Sequence, residues 1–310
     1  MQPRRLKDLE LIAISDIYGD ILRVGGLISA LEPTASENRI IVVAGDISIE
    51  KVSQKSVTDS MTMLSEACKH LFYVPGDSDP KDFEAALPNA KNLDRKNCIV
   101  QNGDIKIGLI GLGGAPNSSV RTGESLPNLW DESIPIVGEQ LSTELKINVE
   151  KVMQGHPDCI ILVTHSPPYG IADRSKPITL KEMAVLEDLL EELKEEPKPE
   201  AEKEPTQSSE PKRKTPTSPK HLGSRILRDF VKYYKPDMHI FGHVHKEGGK
   251  AEQDSGTRFF NVSHLSPLPY RLTGRKFLTV KLTRENITTS FNHVIMENNL
   301  PFNEFIEKYL

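Results

Sequence analysis

Cysteine is scarce in this chain, which has three cysteines among 310 residues. Cys68, Cys98 and Cys159 are an odd number without any Cys-x-x-Cys spacing, a usage that fits a reducing compartment. Long hydrophobic runs are also missing, since no stretch approaches the roughly 20 apolar residues of a membrane span. We therefore expect a soluble cytoplasmic protein that does not enter a membrane.

Basic blocks are missing outside one insert, and the formal net charge is -5. General binding to nucleic acid is therefore not expected. The glycine-rich residues 111–114 lack the Lys-Ser/Thr that completes a nucleotide-binding P-loop, and we interpret them as a tight turn. A full dinucleotide-binding fingerprint and a nucleophilic serine elbow are absent as well.

Short β-branched or aliphatic runs alternate with helical patterns along most of the chain. The runs predict strands at residues 9–15, 39–44, 70–75, 105–111, 158–164, 238–242 and 257–262. The patterns predict helices at residues 20–31, 52–68, 136–153, 180–193 and 223–234. This alternation predicts an α/β fold, and the continuous hydrophobicity of residues 40–44 and 160–163 predicts central strands.

The late part of the chain changes character. Strand-like runs at residues 257–262, 276–283 and 287–292 follow one another with no helix between them. We expect these three to form an antiparallel set, as a second sheet or a sheet edge.

We expect one domain over residues 1–310, interrupted by an insert at about 195–220. Ala201 is the only apolar residue of the insert, which contains six prolines and is predicted to be disordered. The insert is a candidate arm for a protein partner, although a solvated linker is the simpler interpretation. At residues 301–310 an apolar stripe predicts a helical tail that docks on the body of the protein.

Five polar clusters each follow a predicted strand, and their order along the chain is the most informative feature. They lie at residues 16–20, 45–46, 76–79, 164–165 and 242–245. Carboxylates and imidazoles at the C-terminal ends of neighbouring strands converge on one crevice of an α/β sheet. The pattern predicts a site for two metal ions.

The single clusters carry different weight. Asp46 is the natural bridging carboxylate, although one Gly-Asp pair alone would more simply cap a turn. His243 and His245 are two residues apart and can address two different ions from one turn. His165 ends an apolar run as a further ligand, whereas His239 lies within a strand as a core or supporting histidine.

The same residues resemble the calcineurin-like metallophosphoesterase superfamily. That family's pattern is Asp-x-His, Gly-Asp-x-x-Asp, Gly-Asn-His-Asp/Glu, a single His and Gly-His-x-His, and the resemblance spans roughly residues 9–262. Residues 164–169, 221–224 and 261–263 look most like the small Icc-like phosphoesterase branch. The resemblance implies a four-layer α-β-β-α sandwich, in which two mixed β-sheets are flanked by helices.

The resemblance also implies two metal positions, which share Asp46. The first position would use Asp16, Asp46 and His245, and the second would use Asp46, Asp77, His165 and His243. Two divalent ions are expected as cofactors, with Mn²⁺ favoured and Fe, Mg²⁺ or Zn²⁺ as alternatives.

Three residues depart from the family pattern. Tyr18 stands in place of the first histidine and is expected to line the substrate pocket, because a neutral phenol is a poor metal ligand. Asp77 replaces an asparagine and makes the centre less positive. Ser78 replaces a histidine that assists catalysis, and it is also expected in the substrate pocket.

The group that would take over from that histidine is left open by the sequence. Asp79, His221 and His264 are the candidate catalytic residues. For His221 the plain alternative is an ordinary residue near the start of a helix.

The sequence thus predicts a metal-dependent phosphoester hydrolase that uses a metal-bridging hydroxide for in-line attack on phosphorus. The less positive centre predicts a preference for diesters over dianionic monoesters. Tyr18 and Ser78 favour a rival prediction, a binding scaffold on the same fold with a decayed metal centre. A nuclease is a third alternative, which would need a basic groove beside the crevice.

Overall fold

The computed structural model describes residues 8–48, 52–117, 126–175, 220–263, 276–283 and 286–293. The predicted helix at 180–193, the tail at 301–310 and all of the insert except Lys220 lie outside these ranges. So does His264. None of the helices in the described ranges is long and apolar enough to cross a membrane.

Strands and helices alternate through the described ranges, as predicted. The strands are β1 Leu9–Ile14, β2 Arg39–Ala44, β3 His70–Val74, β4 Ala90–Asn92, β5 Asn97–Asn102, β6 Ile105–Leu112, β7 Ala115–Pro116, β8 Leu129–Trp130, β9 Cys159–Thr164, β10 Arg174–Ser175, β11 Lys220–His221, β12 Met238–Phe241, β13 Ala251–Asp254, β14 Thr257–Asn261, β15 Lys276–Leu282 and β16 Ile287–His293. The α-helices are α1 Ile21–Ala30, α2 Gln54–Glu66, α3 Pro135–Gln154 and α4 Arg225–Tyr234.

Three of these helices begin at a side-chain cap. Asp20 accepts a hydrogen bond from the backbone N–H of Arg23 at the start of α1. Ser53 and Ser224 cap α2 and α4 in the same way. Each cap satisfies a backbone donor that the first helical turn leaves without a partner, so these polar residues fix where the helices start.

Two six-stranded sheets form the centre of the fold. The first has the order β16-β15-β1-β2-β3-β4, with β1 to β4 parallel and β15 and β16 as an antiparallel edge. The second has the order β13-β14-β12-β9-β6-β5, with β14, β12, β9 and β6 parallel. Antiparallel strands β13 and β5 close its edges.

Three buried clusters hold four layers together. Val42 of the first sheet and Ile161 of the second lie in the cluster between the sheets. Ile41, on the opposite face of β2, joins a cluster with α1 and α2. Leu162 joins another with α3 and α4. Because neighbouring residues face opposite sides of a strand, these continuous apolar runs fill two layers at once. The predicted α-β-β-α sandwich with two mixed sheets is therefore confirmed.

The predicted antiparallel set of the last three runs is wrong in one member. β15 and β16 are antiparallel, as expected, but β14 lies in the other sheet, parallel to β12. Phe259 of β14 packs toward the helices and Phe260 packs between the sheets. A strand covered on both faces in this way is typical of the parallel part of a sheet.

Candidate metal centre

The predicted metal-binding side chains come together at the C-terminal ends of five strands. Asp16, Asp46 and Asp77 follow β1, β2 and β3 of the first sheet. His165 follows β9 of the second sheet, and the turn with His243 and His245 follows β12. Parallel strands end at the same edge of their sheet, which explains why residues so distant in sequence meet.

The backbone around this crevice is unusual. Nine non-glycine residues in the described ranges have a positive φ, and Asp16, Tyr18, Asp46 and His243 are among them, with φ between 49° and 68°. Such conformations cost free energy and cluster at functional sites, where the surrounding structure holds them in place.

Glycines of the polar clusters allow the loops to approach closely. A Cβ atom at Gly76 would collide with the Asp46 carboxylate, and one at Gly45 would collide with the His165 ring. Glycine is therefore required where these loops meet the bridging residue and its neighbour.

One group of ligands lies around Asp77. Its Oδ1 atom is 2.8 Å from Nε2 of His165 and 3.2 Å from Nδ1 of His243. The ligand atoms of these three residues all lie within 4.8 Å of one another, so they could hold one metal ion. These three residues are three of the four ligands predicted for the second metal position.

The tautomer of His165 can be read from its contacts. Its Nδ1 atom donates to the backbone oxygen of Ala44 at 2.9 Å, which leaves Nε2 as the nitrogen that faces the carboxylates. Metal-binding histidines commonly use this arrangement, in which a backbone carbonyl orients the ring.

A second group brings together Asp16, Asp46 and His165, again within 4.8 Å. His245 belongs to neither group. Its Nε2 atom lies 2.8 Å from Oδ1 of Asp16. The predicted first position of Asp16, Asp46 and His245 is therefore brought into one neighbourhood but is less compact than the second.

The carboxylates and imidazoles of the crevice shift one another's pKa values. Burial and the neighbouring Asp77 and Asp16 carboxylates raise the pKa of Asp46 well above its usual value, against the effect of His165. Burial acts to raise the pKa of Asp77, but His243 and His165 hold it well below its usual range. Burial acts to lower the pKa of His165, but Asp46 and Asp77 outweigh it and hold this pKa well above its usual value. Buried carboxylates this close together repel one another, and a bound cation would relieve that repulsion.

Two buried polar atoms support the same conclusion. Oδ2 of Asp16 and Nε2 of His243 have no hydrogen-bond partner within the described ranges. A buried polar atom without a partner is costly, and coordination of a cation removes that cost. The residues therefore fit a divalent metal ion.

Tyr18 and Ser78 both lie against Asp46, at the crevice where a substrate pocket was predicted. The Tyr18 hydroxyl donates to Oδ2 of Asp46 at 2.7 Å and lies 3.3 Å from Nε2 of His245. The Ser78 hydroxyl reaches the same Oδ2 atom at 3.4 Å, while its backbone N–H donates to Oδ1 at 3.1 Å. Burial and the carboxylates of Asp46 and Asp16 raise the pKa of Tyr18 well above its ordinary value.

Asp79 is fully buried, and both of its carboxylate oxygens accept hydrogen bonds from the loops. Its carboxylate accepts backbone hydrogen bonds from Ile47, Ser48 and Gly76 at 2.6–3.1 Å. Burial raises its pKa to about 6, against the effect of these bonds. The contacts favour a positioning role, and its predicted catalytic role stays a prediction.

His221, the second catalytic candidate, is oriented by a buried carboxylate. Its Nδ1 atom lies 2.9 Å from Oδ1 of Asp173, and its ring packs on Tyr169 with centroids 4.6 Å apart. Asp173 also accepts backbone hydrogen bonds from Gly170 and Gly223. Nothing in the sequence singled out Asp173, because its partner lies 48 positions away across the insert.

His239 lies in the core. The sequence had left open whether it is a core histidine or one that supports the metal ligands. It is fully buried in β12, and its Nε2 atom lies 2.8 Å from the Thr164 hydroxyl, next to His165. The third catalytic candidate, His264, lies outside the described residues.

A crevice that could hold a metal ion, at the strand ends of a two-sheet α/β sandwich, is typical of a class of metal-dependent proteins. Within it, a family model described as calcineurin-like phosphoesterase matches residues 9–247. The chain belongs to this family, so the predicted family is confirmed. No curated protein sequence matches the chain.

Solved structures show the same fold at low identity. One is the protein TT1561 of Thermus thermophilus, which is 12% identical with a TM-score of 0.50, covering 92% of this chain and 99% of that one. Another is a candidate 5′-nucleotidase from Staphylococcus aureus, 13% identical with a TM-score of 0.51, covering 97% and 58%. A third is the sulfate thiohydrolase SoxB of Thermus thermophilus, 12% identical with a TM-score of 0.50, covering 99% and 60%. The predicted Icc-like branch stays a prediction, because likeness at this level shows the fold alone.

Proposed function

We propose that this chain is a metal-dependent phosphoester hydrolase that prefers phosphodiesters. The observation that carries the proposal is the convergence of six metal-binding side chains at one buried crevice. They are Asp16, Asp46, Asp77, His165, His243 and His245. Membership of the calcineurin-like phosphoesterase family supports the reaction class.

Each part of the crevice has a task in this reaction. Bound divalent ions, with Mn²⁺ expected, would supply a hydroxide for in-line attack on phosphorus and positive charge for the phosphoryl oxygens. Asp46 lies between the two ligand groups, and the Ala44 carbonyl keeps Nε2 of His165 directed at the carboxylates. Asp79 ties together the loops that follow β2 and β3, so that Asp46 and Asp77 keep their spacing.

The preference for diesters is argued from Asp77. A carboxylate at this position adds one negative charge compared with the asparagine of the family pattern. This added charge weakens the attraction of the centre for a dianionic monoester more than its attraction for a monoanionic diester.

The leaving group needs a proton donor. The Ser78 hydroxyl cannot fill this role as the imidazole of the family pattern would. His221 is the candidate that its contacts favour, because Asp173 fixes one ring nitrogen and leaves the other for a substrate. His221 packs on Tyr169, which follows His165 by four residues. A chain of four residues spans at most roughly 14 Å, so Tyr169 lies within that distance of His165.

The experiment that tests this function compares two substrates on one preparation. Manganese-reconstituted protein should hydrolyse bis(p-nitrophenyl) phosphate with a higher kcat/KM than p-nitrophenyl phosphate. The reverse ranking would remove the diester preference while leaving the hydrolase, and turnover of neither substrate would count against the enzyme.

A binding scaffold on this fold is the second candidate function. The observation that favours it is the pair of hydroxyls from Tyr18 and Ser78 on one oxygen of Asp46, where a catalytic ion would bind. A scaffold would show no metal-dependent turnover of any phosphoester. The nuclease alternative predicts cleavage of nucleic acid by the same preparation.

Two further predictions stay proposals. Three free cysteines, two of them buried, support a reducing cytoplasm as the location. A partner protein at the insert of residues 195–220 is proposed from composition.

A further inference from the structure

We infer that the centre holds one divalent ion instead of two, because the Tyr18 hydroxyl occupies the place of the other. The retained ion lies at the second position, formed by Asp46, Asp77, His165 and His243. The inference rests on the metal binding of the proposed function but not on its substrate preference.

A hydrogen-bonded side chain of this protein fills the first position on the side of Asp46 and His245, while Oδ2 of the third ligand, Asp16, has no hydrogen-bond partner among the described residues. Tyr18 donates its hydroxyl hydrogen to Oδ2 of Asp46 at 2.7 Å, and its oxygen lies 3.3 Å from Nε2 of His245. Asp46 and His245 are two of the three ligands that the first ion would need. A hydroxyl between them therefore stands where that ion would stand, and its hydrogen uses one of the two lone pairs of Oδ2.

A second departure from the family pattern acts on the same atom. The Ser78 hydroxyl also reaches Oδ2 of Asp46, at 3.4 Å. The other oxygen, Oδ1, is the one that faces the second position, with Nε2 of His165 3.5 Å away. The two hydroxyls thus both use Oδ2 of Asp46, whereas Oδ1 accepts one backbone N–H, from Ser78, and keeps a second lone pair for an ion.

The histidine shared by both ligand groups can serve only one ion. The groups Asp77, His165, His243 and Asp16, Asp46, His165 have His165 in common. Its Nδ1 atom is used by the Ala44 carbonyl, so a single lone pair remains, on Nε2. Because Nε2 is 2.8 Å from Oδ1 of Asp77, the ion belongs beside Asp77.

The third departure strengthens the position that is kept. Asp77 supplies a carboxylate where the family pattern has a neutral amide, and it contacts both histidines of the second position. An added negative charge binds one divalent ion more tightly without requiring a neighbour. Tyr18, Ser78 and Asp77 therefore each favour a single-ion centre.

The test counts ions in three versions of the full chain. Each is loaded with excess Mn²⁺ and desalted, and metal per chain is measured by mass spectrometry of the elements. Wild type should carry about one ion, and Tyr18→His, which restores the imidazole, should carry about two. Ser78→His is the matched control, because it also restores a family histidine but adds no ligand, and it should stay at about one.

A matched pair on one turn locates the ion. His243→Ala should lose the ion, whereas His245→Ala should keep about one ion per chain, with circular dichroism to confirm folding. Two ions per chain in wild type would overturn the inference, as would a folded Tyr18→His that binds no more metal than wild type. Loss of the ion in His245→Ala but not in His243→Ala would overturn it as well. Two ions in wild type would leave the hydrolase proposal intact, whereas a wild type without metal would remove both.

Discussion

At the scale of single residues, function depends on how neighbouring groups orient each side chain. Ala44 selects the nitrogen of His165 that meets the carboxylates, and Asp173 does the same for His221. A backbone carbonyl and a buried carboxylate thus decide which face of each imidazole is available.

The role of His221 predicts a dependence on the leaving group. Loss of a positioned acid typically costs roughly 10²–10⁴-fold in rate, but a good leaving group such as p-nitrophenolate needs little assistance. His221→Asn should therefore slow hydrolysis of a dialkyl diester far more than that of bis(p-nitrophenyl) phosphate, measured as kcat.

His156→Asn is the control, because it makes the same change at an exposed loop position. Equal losses on both substrates in His221→Asn would contradict the acid role and favour a structural one.

Most of the candidate ligands could be predicted from the sequence, and the reason is local. Asp46 and His165 each follow an apolar strand directly, so their place in an α/β sheet is fixed by position along the chain. Asp173 could not be predicted, because its partner is brought near only by the pairing of β10 with β11. The contact of Tyr18 with Asp46 also joins distant residues, 28 positions apart, and could not be predicted either. This contact is what changes the expected number of metal ions.

At the scale of elements, β9 and β12 are joined behind the metal centre by a buried histidine. His239 of β12 contacts the Thr164 hydroxyl of β9, and burial lowers its pKa to about 3. The folded protein therefore keeps this imidazole neutral, whereas the unfolded chain protonates it near pH 6.5.

The free energy of unfolding should consequently depend on pH through His239. Between about pH 6.5 and pH 3 the unfolded state binds one more proton, so stability falls as pH falls, by up to about 1.4 kcal/mol per pH unit. In metal-free protein, His239→Gln should reduce this slope between pH 6 and pH 4.5, measured by urea unfolding. Parallel slopes for the two proteins would show that His239 is not held neutral.

The elements themselves were predicted unevenly. Strands β2 and β9 have aliphatic runs buried on both faces, which makes them recognisable. The sequence does not predict the edge strand β5, because only one of its six residues is buried and polar and apolar side chains are mixed. The partner of β14 was assigned wrongly, since a run of strand formers does not reveal which sheet it joins.

At the scale of the whole molecule, the crevice lies at the strand ends of both packed sheets and combines ligands up to 229 positions apart, as Asp16 and His245 show. The four-layer architecture was implied by family resemblance, and periodicity alone predicted only the α/β class. Packing of both sheets through one shared core is what brings carboxylates from the first sheet to histidines from the second.

The most direct measurement of the central claim is metal-dependent hydrolysis of bis(p-nitrophenyl) phosphate by wild type and Asp46→Asn. Metal-free wild type should be inactive and recover on addition of Mn²⁺, whereas Asp46→Asn should lose more than roughly 10²-fold, since even indirect metal partners typically cost 10–100-fold. Asp229→Asn, the same change at an exposed position of α4, should match wild type. Equal turnover with and without metal, or full activity in Asp46→Asn, would contradict a metal-dependent centre built on this crevice.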